Sequence, residues 1–192
     1  MKEILERYSC RAYTGDALKE NEIKAIADAA LASPSGLNRQ PWHIIIVTNK
    51  KLLDEMCAEG MQILKDKPDQ TAYNRLMERG GTMFYNAPAM FLVATNVANM
   101  YNLSGVLHDN ISMEAVDLGI VCQNIALAAQ HLELGNVICA MAGITINGPN
   151  KDKWYAKLNI PQGFEFGMAV LVGKAKTTKP PHELDHSKIS FV

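Results

Sequence analysis

The segment from about residue 110 to residue 134 constrains the fold most, because apolar side chains occupy most of its helical circumference. A helix of that kind has to be covered on nearly all sides. In a chain of 192 residues it lies either at the centre of the fold or in an interface between two copies of the chain. Gly135 and Asn136 follow the apolar pattern, and they predict the end of this helix.

Four apolar runs have the length and composition of strands. Residues 42–48 and 89–94 combine β-branched and aromatic side chains almost without interruption, which favours strands buried on both faces. Residues 137–141 and 166–172 give two further predicted strands. Apolar residues at helical spacing predict the other helices, at residues 1–7, 19–32, 51–64, 72–79 and 151–158.

Helices and strands alternate irregularly, which favours a mixed α and β chain folded as one layered domain over residues 1–192. No strand is followed by the glycine pattern of a dinucleotide-binding or P-loop fold. Residues 143–149 are predicted to form a loop, and residues 96–107 carry no pattern that assigns them. The tail from residue 174 onward has few packing residues, so it is ordered only if something holds it, and a partner subunit could do so.

Charge and cysteine content exclude several classes of protein. The net charge is −1, which gives no electrostatic reason to expect nucleic acid or a membrane surface as a partner. The apolar segments carry too many polar residues for a membrane span, and the charged N-terminus does not resemble a signal peptide. The four cysteines are widely spaced and suggest neither disulfides nor zinc, so we expect a cytoplasmic protein without a metal site.

Hydrolytic chemistry has no support, because the chain lacks a nucleophile motif and its paired acids lie on solvated helix faces. Anion binding is better supported. Arg7 and Arg11 are four residues apart with Ser9 between them, and guanidinium groups pair bidentately with phosphate. The alternative is an ordinary surface pair of arginines that bridges to Glu3 and Glu6.

A polar loop, residues 33–42, joins the predicted helix 19–32 to the predicted strand 42–48. Its prolines and glycine alternate with side chains rich in donors and acceptors, which could read the edge of a polar heterocycle. Together with the arginine pair, it suggests a mononucleotide-like cofactor. The alternative is a turn-rich surface connection.

Five motifs follow one another along the chain: Arg7-Tyr-Ser-Cys-Arg11, Ser33-Pro-Ser-Gly-Leu-Asn-Arg-Gln-Pro-Trp42, Asn86-Ala-Pro88, Asp117-Leu-Gly-Ile-Val-Cys-Gln-Asn124 and Ile160-Pro-Gln-Gly-Phe-Glu-Phe-Gly167. In this order they resemble the motifs of the FMN-dependent nitroreductase family. The resemblance implies an α+β, three-layer fold with a central mixed, mainly antiparallel sheet flanked by helices. It also implies an intertwined homodimer with FMN at the interface between the subunits. The C-terminal tail (about 174–192) would reach the partner subunit.

The resemblance assigns cofactor-binding residues in groups. Arg7, Ser9 and Arg11 would hold the phosphate and ribityl chain, and Tyr8 would contribute backbone. The loop facing the flavin would contain Pro34, Ser35, Gly36, Asn38 and Gln40. Ala142 and Gly143, in another part of the chain, would supply backbone near the flavin N5.

The C-terminal region departs from the family pattern, since His182 stands where an arginine is common and Lys179 could substitute for it. Many members also have an asparagine or lysine near position 80 that contacts the flavin, and Arg79-Gly80-Gly81 offers no clear match.

The implied activity is NAD(P)H-dependent reduction of a nitroaromatic, quinone or similar small acceptor, by ping-pong hydride transfer through flavin N5. NAD(P)H would be a transient co-substrate, and no side chain is assigned a catalytic role. One alternative is an FMN-binding protein with another outcome, namely ene reduction, dehalogenation or flavin storage. The other is a non-catalytic binding module.

Overall fold

The computed structural model describes residues 1–96 and 112–192. The helices are α1 Lys2–Glu6, α2 Glu20–Leu31, α3 Lys50–Lys65, α4 Thr71–Met77, α5 Met113–His131, α6 Ala142–Ile146 and α7 Lys151–Lys157. The strands are β1 Trp42–Val47, β2 Ala89–Asn96, β3 Gly135–Cys139 and β4 Phe164–Gly173. All but the first residue of the unassigned segment 96–107, and the predicted start of the long helix at 110–111, lie outside the described residues. No described helix has the length and apolarity needed to cross a membrane.

The four strands form one sheet in the order β1-β2-β4-β3, and all neighbours are antiparallel. Ser9 adds an isolated parallel bridge to Asn136 of β3. Side chains on alternate positions of β2 enter two separate buried clusters, one shared with α3 and α6 and the other with α2 and α5. Helices therefore cover both faces, and the predicted three-layer α+β fold with a mainly antiparallel sheet is confirmed.

Burial of the strands follows their place in the sheet. Residues 89–94 of β2 are fully buried, as predicted, because β2 lies between two strands and two helical layers. The same prediction for residues 42–48 was wrong. Among the described residues, β1 has β2 as its single neighbour and lies at the edge of the sheet, so His43 is exposed and the isoleucines that follow are only partly buried.

The predicted loop at 143–149 was also wrong, since α6 begins at Ala142 and continues to Ile146. Its β-branched residues have modest helix propensity, but tertiary contacts override that preference. Thr145 is fully buried, and its hydroxyl donates a hydrogen bond of 2.8 Å to the carbonyl of Met56 in α3. The buried face of α6 therefore holds the helix against α3.

The long helix ends earlier than predicted, and strand β3 starts two residues earlier. Glu133, with φ 59°, takes the left-handed conformation that ends the helix, and the Leu134 N–H returns to the carbonyl of Ala129. Gly135 is already in the strand. A Cβ there would lie 2.8 Å from the Cys10 sulfur, so this glycine serves the close approach of the N-terminal segment rather than a helix stop.

The two ends of the chain run side by side after β4. The Thr14 N–H donates to the Lys174 carbonyl at 3.0 Å, and the Lys176 N–H donates to the Ala12 carbonyl at 2.9 Å. Tyr13 and Ala175 form an antiparallel bridge between them. This pairing places the start of the C-terminal tail beside the N-terminal segment 8–14.

Replacing Leu92 in the centre of β2 tests this account of the core. Leu92 is fully buried, so Leu92→Ala leaves a cavity and should lower the free energy of unfolding by about 2–5 kcal/mol in a urea titration. Leu31→Ala makes the same change at a side chain that is 59% exposed, and it should change stability by no more than about 0.5 kcal/mol. Equal losses in the two variants would contradict the assigned core.

Candidate functional site

Both ends of the chain line one concavity of about 280 Å³, here called the anion pocket. It contains Arg7, Tyr8, Ser9, Arg11, Lys179, Pro180, Pro181 and His182. No carboxylate is among these lining residues, so the pocket has a positive potential. The structure thus brings together all six site residues that were predicted in the N-terminal motif and in the C-terminal tail.

Backbone contacts fix the N-terminal half of the anion pocket. Helix α1 ends at Glu6, and Arg7 leaves it in an extended conformation. The Cys10 N–H then donates to the Asn136 carbonyl at 2.9 Å, beside the bridge between Ser9 and Asn136. The extended segment carries Arg7, Ser9 and Arg11 along the edge of β3.

Tyr8 fixes the C-terminal half. Its hydroxyl donates a hydrogen bond of 3.0 Å to the carbonyl of Thr177, which is 169 residues away in sequence. Burial, with a smaller contribution from Cys10, raises the pKa of the Tyr8 phenol, so this group stays protonated and keeps its role as donor. The contact holds the tail where it leaves the fold, two residues before Lys179.

The cations of the anion pocket have spare binding capacity. Arg7 and Lys179 form no ion pair and no side-chain hydrogen bond with any described residue. Arg11 makes a single long contact, from its guanidinium to the Ser9 carbonyl at 3.5 Å. Charged donors of this kind are available to a bound anion.

Ala142 and Gly143 lie at the start of α6, directly after the turn that leaves β3. Burial raises the pKa of the Cys139 thiol at the end of β3, and the N–H groups of Met141 and Ala142 together with the charge of Arg11 oppose that rise. The charge of Arg11 therefore acts on the thiol that precedes this turn. Ala142 is fully buried and Gly143 is partly exposed, so the backbone of Gly143 is the part of this pair that a ligand can reach in one protomer.

The loop after α2 has a strained and well-defined backbone. Leu37, Asn38 and Gln40 all have φ values near +50°, a conformation that costs non-glycine residues of order 1–3 kcal/mol each. Two hydrogen bonds hold the shape: the Gln40 N–H donates to the Ser35 hydroxyl at 2.8 Å, and the Gln40 amide donates to the Asn38 side chain at 3.0 Å. Such strain is typical of functional loops.

Helix α5 anchors the loop through two polar side chains that the sequence analysis did not assign to the site. Asp117 is buried and accepts a hydrogen bond of 3.0 Å from the Gly36 N–H. Asn124 donates to the Ser33 hydroxyl at 2.9 Å and to the Ala29 carbonyl at 3.4 Å. Their seven-residue spacing places both on one face of an otherwise apolar helix. This polar pair was the sequence signal that could have assigned them to the site.

Within the described part of the chain, the loop and the anion pocket stay apart. Pro34, Ser35, Gly36, Asn38 and Gln40 do not line the anion pocket, and no hydrogen bond among the described residues connects them to residues that do. One protomer thus presents two separate parts of the predicted site.

A sequence model of the nitroreductase family matches residues 4–174. This chain belongs to the nitroreductase family. It is similar to a protein named "Putative NADH dehydrogenase/NAD(P)H nitroreductase" from Archaeoglobus fulgidus, with 28% identity over 96% of this chain and 90% of that protein.

Two solved structures support the assignment to the nitroreductase family. A nitroreductase with bound FMN from Desulfitobacterium hafniense has 43% sequence identity and a TM-score of 0.89, covering 100% of this chain and 96% of that one. A second, from Bacteroides fragilis, also with bound FMN, has 21% identity and a TM-score of 0.80, covering 100% and 97%. The second likeness shows the nitroreductase fold alone.

Replacing Asp117 tests whether α5 shapes the loop. Asp117→Ala leaves the Gly36 N–H without its acceptor, and it should lower the free energy of unfolding by about 1–3 kcal/mol. The same variant should speed trypsin cleavage after Arg39. Asp117→Asn keeps an acceptor oxygen, and trypsin should cleave it at a rate close to that of the unaltered chain. Identical cleavage in all three proteins would show that the loop is held by its own hydrogen bonds.

Proposed function

We propose that this nitroreductase-family chain is an FMN-dependent oxidoreductase that takes electrons from NAD(P)H and passes them to a nitroaromatic, a quinone or a similar small acceptor. The observation that carries the proposal is the convergence of Arg7, Ser9, Arg11 and Lys179 on a pocket without carboxylates. Two fork-shaped guanidinium groups, an ammonium and a hydroxyl match the oxygens of a phosphate monoester.

The C-terminal departure from the family pattern fits the same ligand. Lys179 and His182 both line the anion pocket, so the histidine does not have to replace an arginine alone. A lysine stays charged over the whole physiological pH range. We therefore assign the third cationic contact with the phosphate to Lys179, and a further hydrogen-bonding contact to His182.

FMN, once bound, supplies the hydride chemistry at N5, and the chain binds and orients it. Arg11 lines the anion pocket, and its charge also acts on Cys139 before the turn at Ala142 and Gly143, so it can attract the negative charge that reduction creates. Backbone groups of that turn would face the reactive edge. NAD(P)H and the acceptor would use one position in turn, which is the basis of a ping-pong mechanism.

We further propose that the site is completed by a second copy of the chain. Exposed or partly exposed residues at helical spacing form one face of α5, here called the α5 stripe: Ala115, Val116, Gly119, Ile120, Gln123 and Leu127. The stripe carries no charge. Exposed apolar side chains also occur on α1 and at the end of the tail, at Ile4, Leu5, Phe191 and Val192.

Contact between two α5 stripes would cover these surfaces and bury apolar area. It would also allow the loop of one protomer to approach the anion pocket of the other, since the two do not meet within one chain. The tail, which is exposed from residue 176 to its end, would gain a surface to pack on. The cytoplasmic location and the single-domain organisation stay predictions.

A visible spectrum tests the proposed function. The purified protein, incubated with FMN and freed of excess cofactor, should be yellow, and anaerobic addition of NADH or NADPH should bleach it. A quinone or nitroaromatic added afterwards should restore the colour. A yellow protein that neither nucleotide bleaches would indicate flavin storage. A colourless protein would contradict the proposal altogether.

A charge placed on the α5 stripe tests the two-copy site. A side chain at Gly119 meets nothing within 4 Å in one protomer, so Gly119→Glu should leave the protomer folded while it blocks stripe-to-stripe contact. We expect a monomeric mass by light scattering at low micromolar concentration, an unchanged circular dichroism spectrum and loss of bound FMN. Ala25→Glu, at an exposed small residue of α2, is the matched control and should stay dimeric. A yellow, dimeric Gly119→Glu protein would contradict the prediction.

A further inference from the structure

A second concavity, of about 310 Å³, adjoins the anion pocket. It is lined by Tyr8, Arg11, Ala12, Arg79, Thr177 and Lys179, and three of these belong to both concavities. We propose that this concavity, with Arg79 as its anchor, is a second anion-binding site that takes a phosphate or carboxylate group of the molecule reacting with the flavin. The proposal rests on the proposed function and names a feature of the substrates.

The turn after α4 sets the position of Arg79. The Arg79 N–H donates to the Leu76 carbonyl at 3.0 Å, and the Gly81 N–H donates to the same carbonyl at 2.9 Å. Gly80 and Gly81 have φ values of 92° and 68°, which other residues adopt only at a cost. This tight turn ends α4 and leaves Arg79 at the wall of the second concavity.

The residues that line the two concavities carry more positive charge than one bound anion can neutralise. Arg7, Arg11, Arg79 and Lys179 line the two concavities, and within residues 1–96 and 112–192 none of the four forms an ion pair with a carboxylate. A phosphate monoester at neutral pH carries only about 1.5–2 negative charges. With the phosphate of FMN in the anion pocket, roughly two positive charges remain to attract a second anion.

The position of the second concavity favours the reacting molecule over FMN itself. Three of its lining residues, Ala12, Arg79 and Thr177, do not line the anion pocket. Ala142 and Gly143, the segment assigned to the reactive edge of the flavin, are not among its lining residues. A flavin that extends from the anion pocket toward α6 would leave Arg79 available to the anion of a second molecule.

Two sources could supply the anion: a phosphate of the nicotinamide dinucleotide, or a carboxylate on the acceptor. Both would pair with the fork of Arg79 in the same way. NADPH has one phosphate more than NADH, and 4-nitrobenzoate has a carboxylate that nitrobenzene lacks. These pairs separate the two sources.

The test compares Arg79→Ala with Arg75→Ala in the FMN-loaded protein. Arg75 is an exposed residue of α4, the helix that precedes the Arg79 turn, and it lines neither concavity, so it controls for the loss of one positive charge. FMN affinity, measured by fluorescence titration, should change less than twofold in both variants, whereas Arg11→Ala should weaken it more than tenfold.

Steady-state kinetics then identifies the source. If the dinucleotide supplies the anion, Arg79→Ala should raise KM about tenfold for NADPH, with little change in kcat. The KM for NADH should rise equally if Arg79 binds the pyrophosphate that both share, and should stay unchanged if it binds the phosphate that NADH lacks. If the acceptor supplies it, the same rise should appear for 4-nitrobenzoate and not for nitrobenzene. Either result supports the second site. Unchanged KM values for all four compounds, or a loss of FMN affinity as large as that of Arg11→Ala, would overturn it.

A binding measurement that needs no turnover separates this proposal from the proposed function. Calorimetric titration of the FMN-loaded protein with inorganic pyrophosphate should show saturable binding in the unaltered chain and in Arg75→Ala. The binding should weaken about tenfold in Arg79→Ala. Such a loss in a protein that no nucleotide bleaches would support the second site and refute only the proposed reaction. Equal binding by all three proteins would refute the second site.

Discussion

Helix α5 packs against the sheet through side chains such as Val121 and Ile125, and against α2 on a neighbouring face. A third region of its surface holds the loop after α2 through Asp117 and Asn124. The remaining face is the α5 stripe, which is uncharged and exposed in part. A helix with so much apolar surface has to be covered on each side, and the sheet layer, the loop and the proposed second copy divide that surface among them.

The pairing of the two chain ends gives the anion pocket its form. Segment 8–14 is held on one side by β3 and on the other by residues 174–177, so the arginines and Lys179 face a common space before any ligand arrives. Preorganised donors lose less entropy on binding than donors on mobile segments. The strained loop after α2 is prepared in the same sense, because α5 and its own hydrogen bonds hold it without a ligand.

The sequence predicted the layered fold, the central strand of the sheet and the group of residues that lines the anion pocket, since each depends on a local pattern or a recognisable motif. It failed where tertiary contacts decide. α6 is helical because its buried face packs on α3, and β1 is half-exposed because it lies at an edge, and neither fact is encoded locally. Arg79 could not be placed, because only the fold brings α4 near the two chain ends.

The distance in sequence between the two halves of the anion pocket also affects biosynthesis. Tyr8 and Thr177 are 169 residues apart, and Lys179 follows two residues later. A chain emerging from the ribosome can form its N-terminal helices early, but contacts of such long range have to wait for the last residues. If FMN binds as proposed, its capture is therefore a late event, which waits for residues 177–182 and cannot assist the folding of the residues made before them.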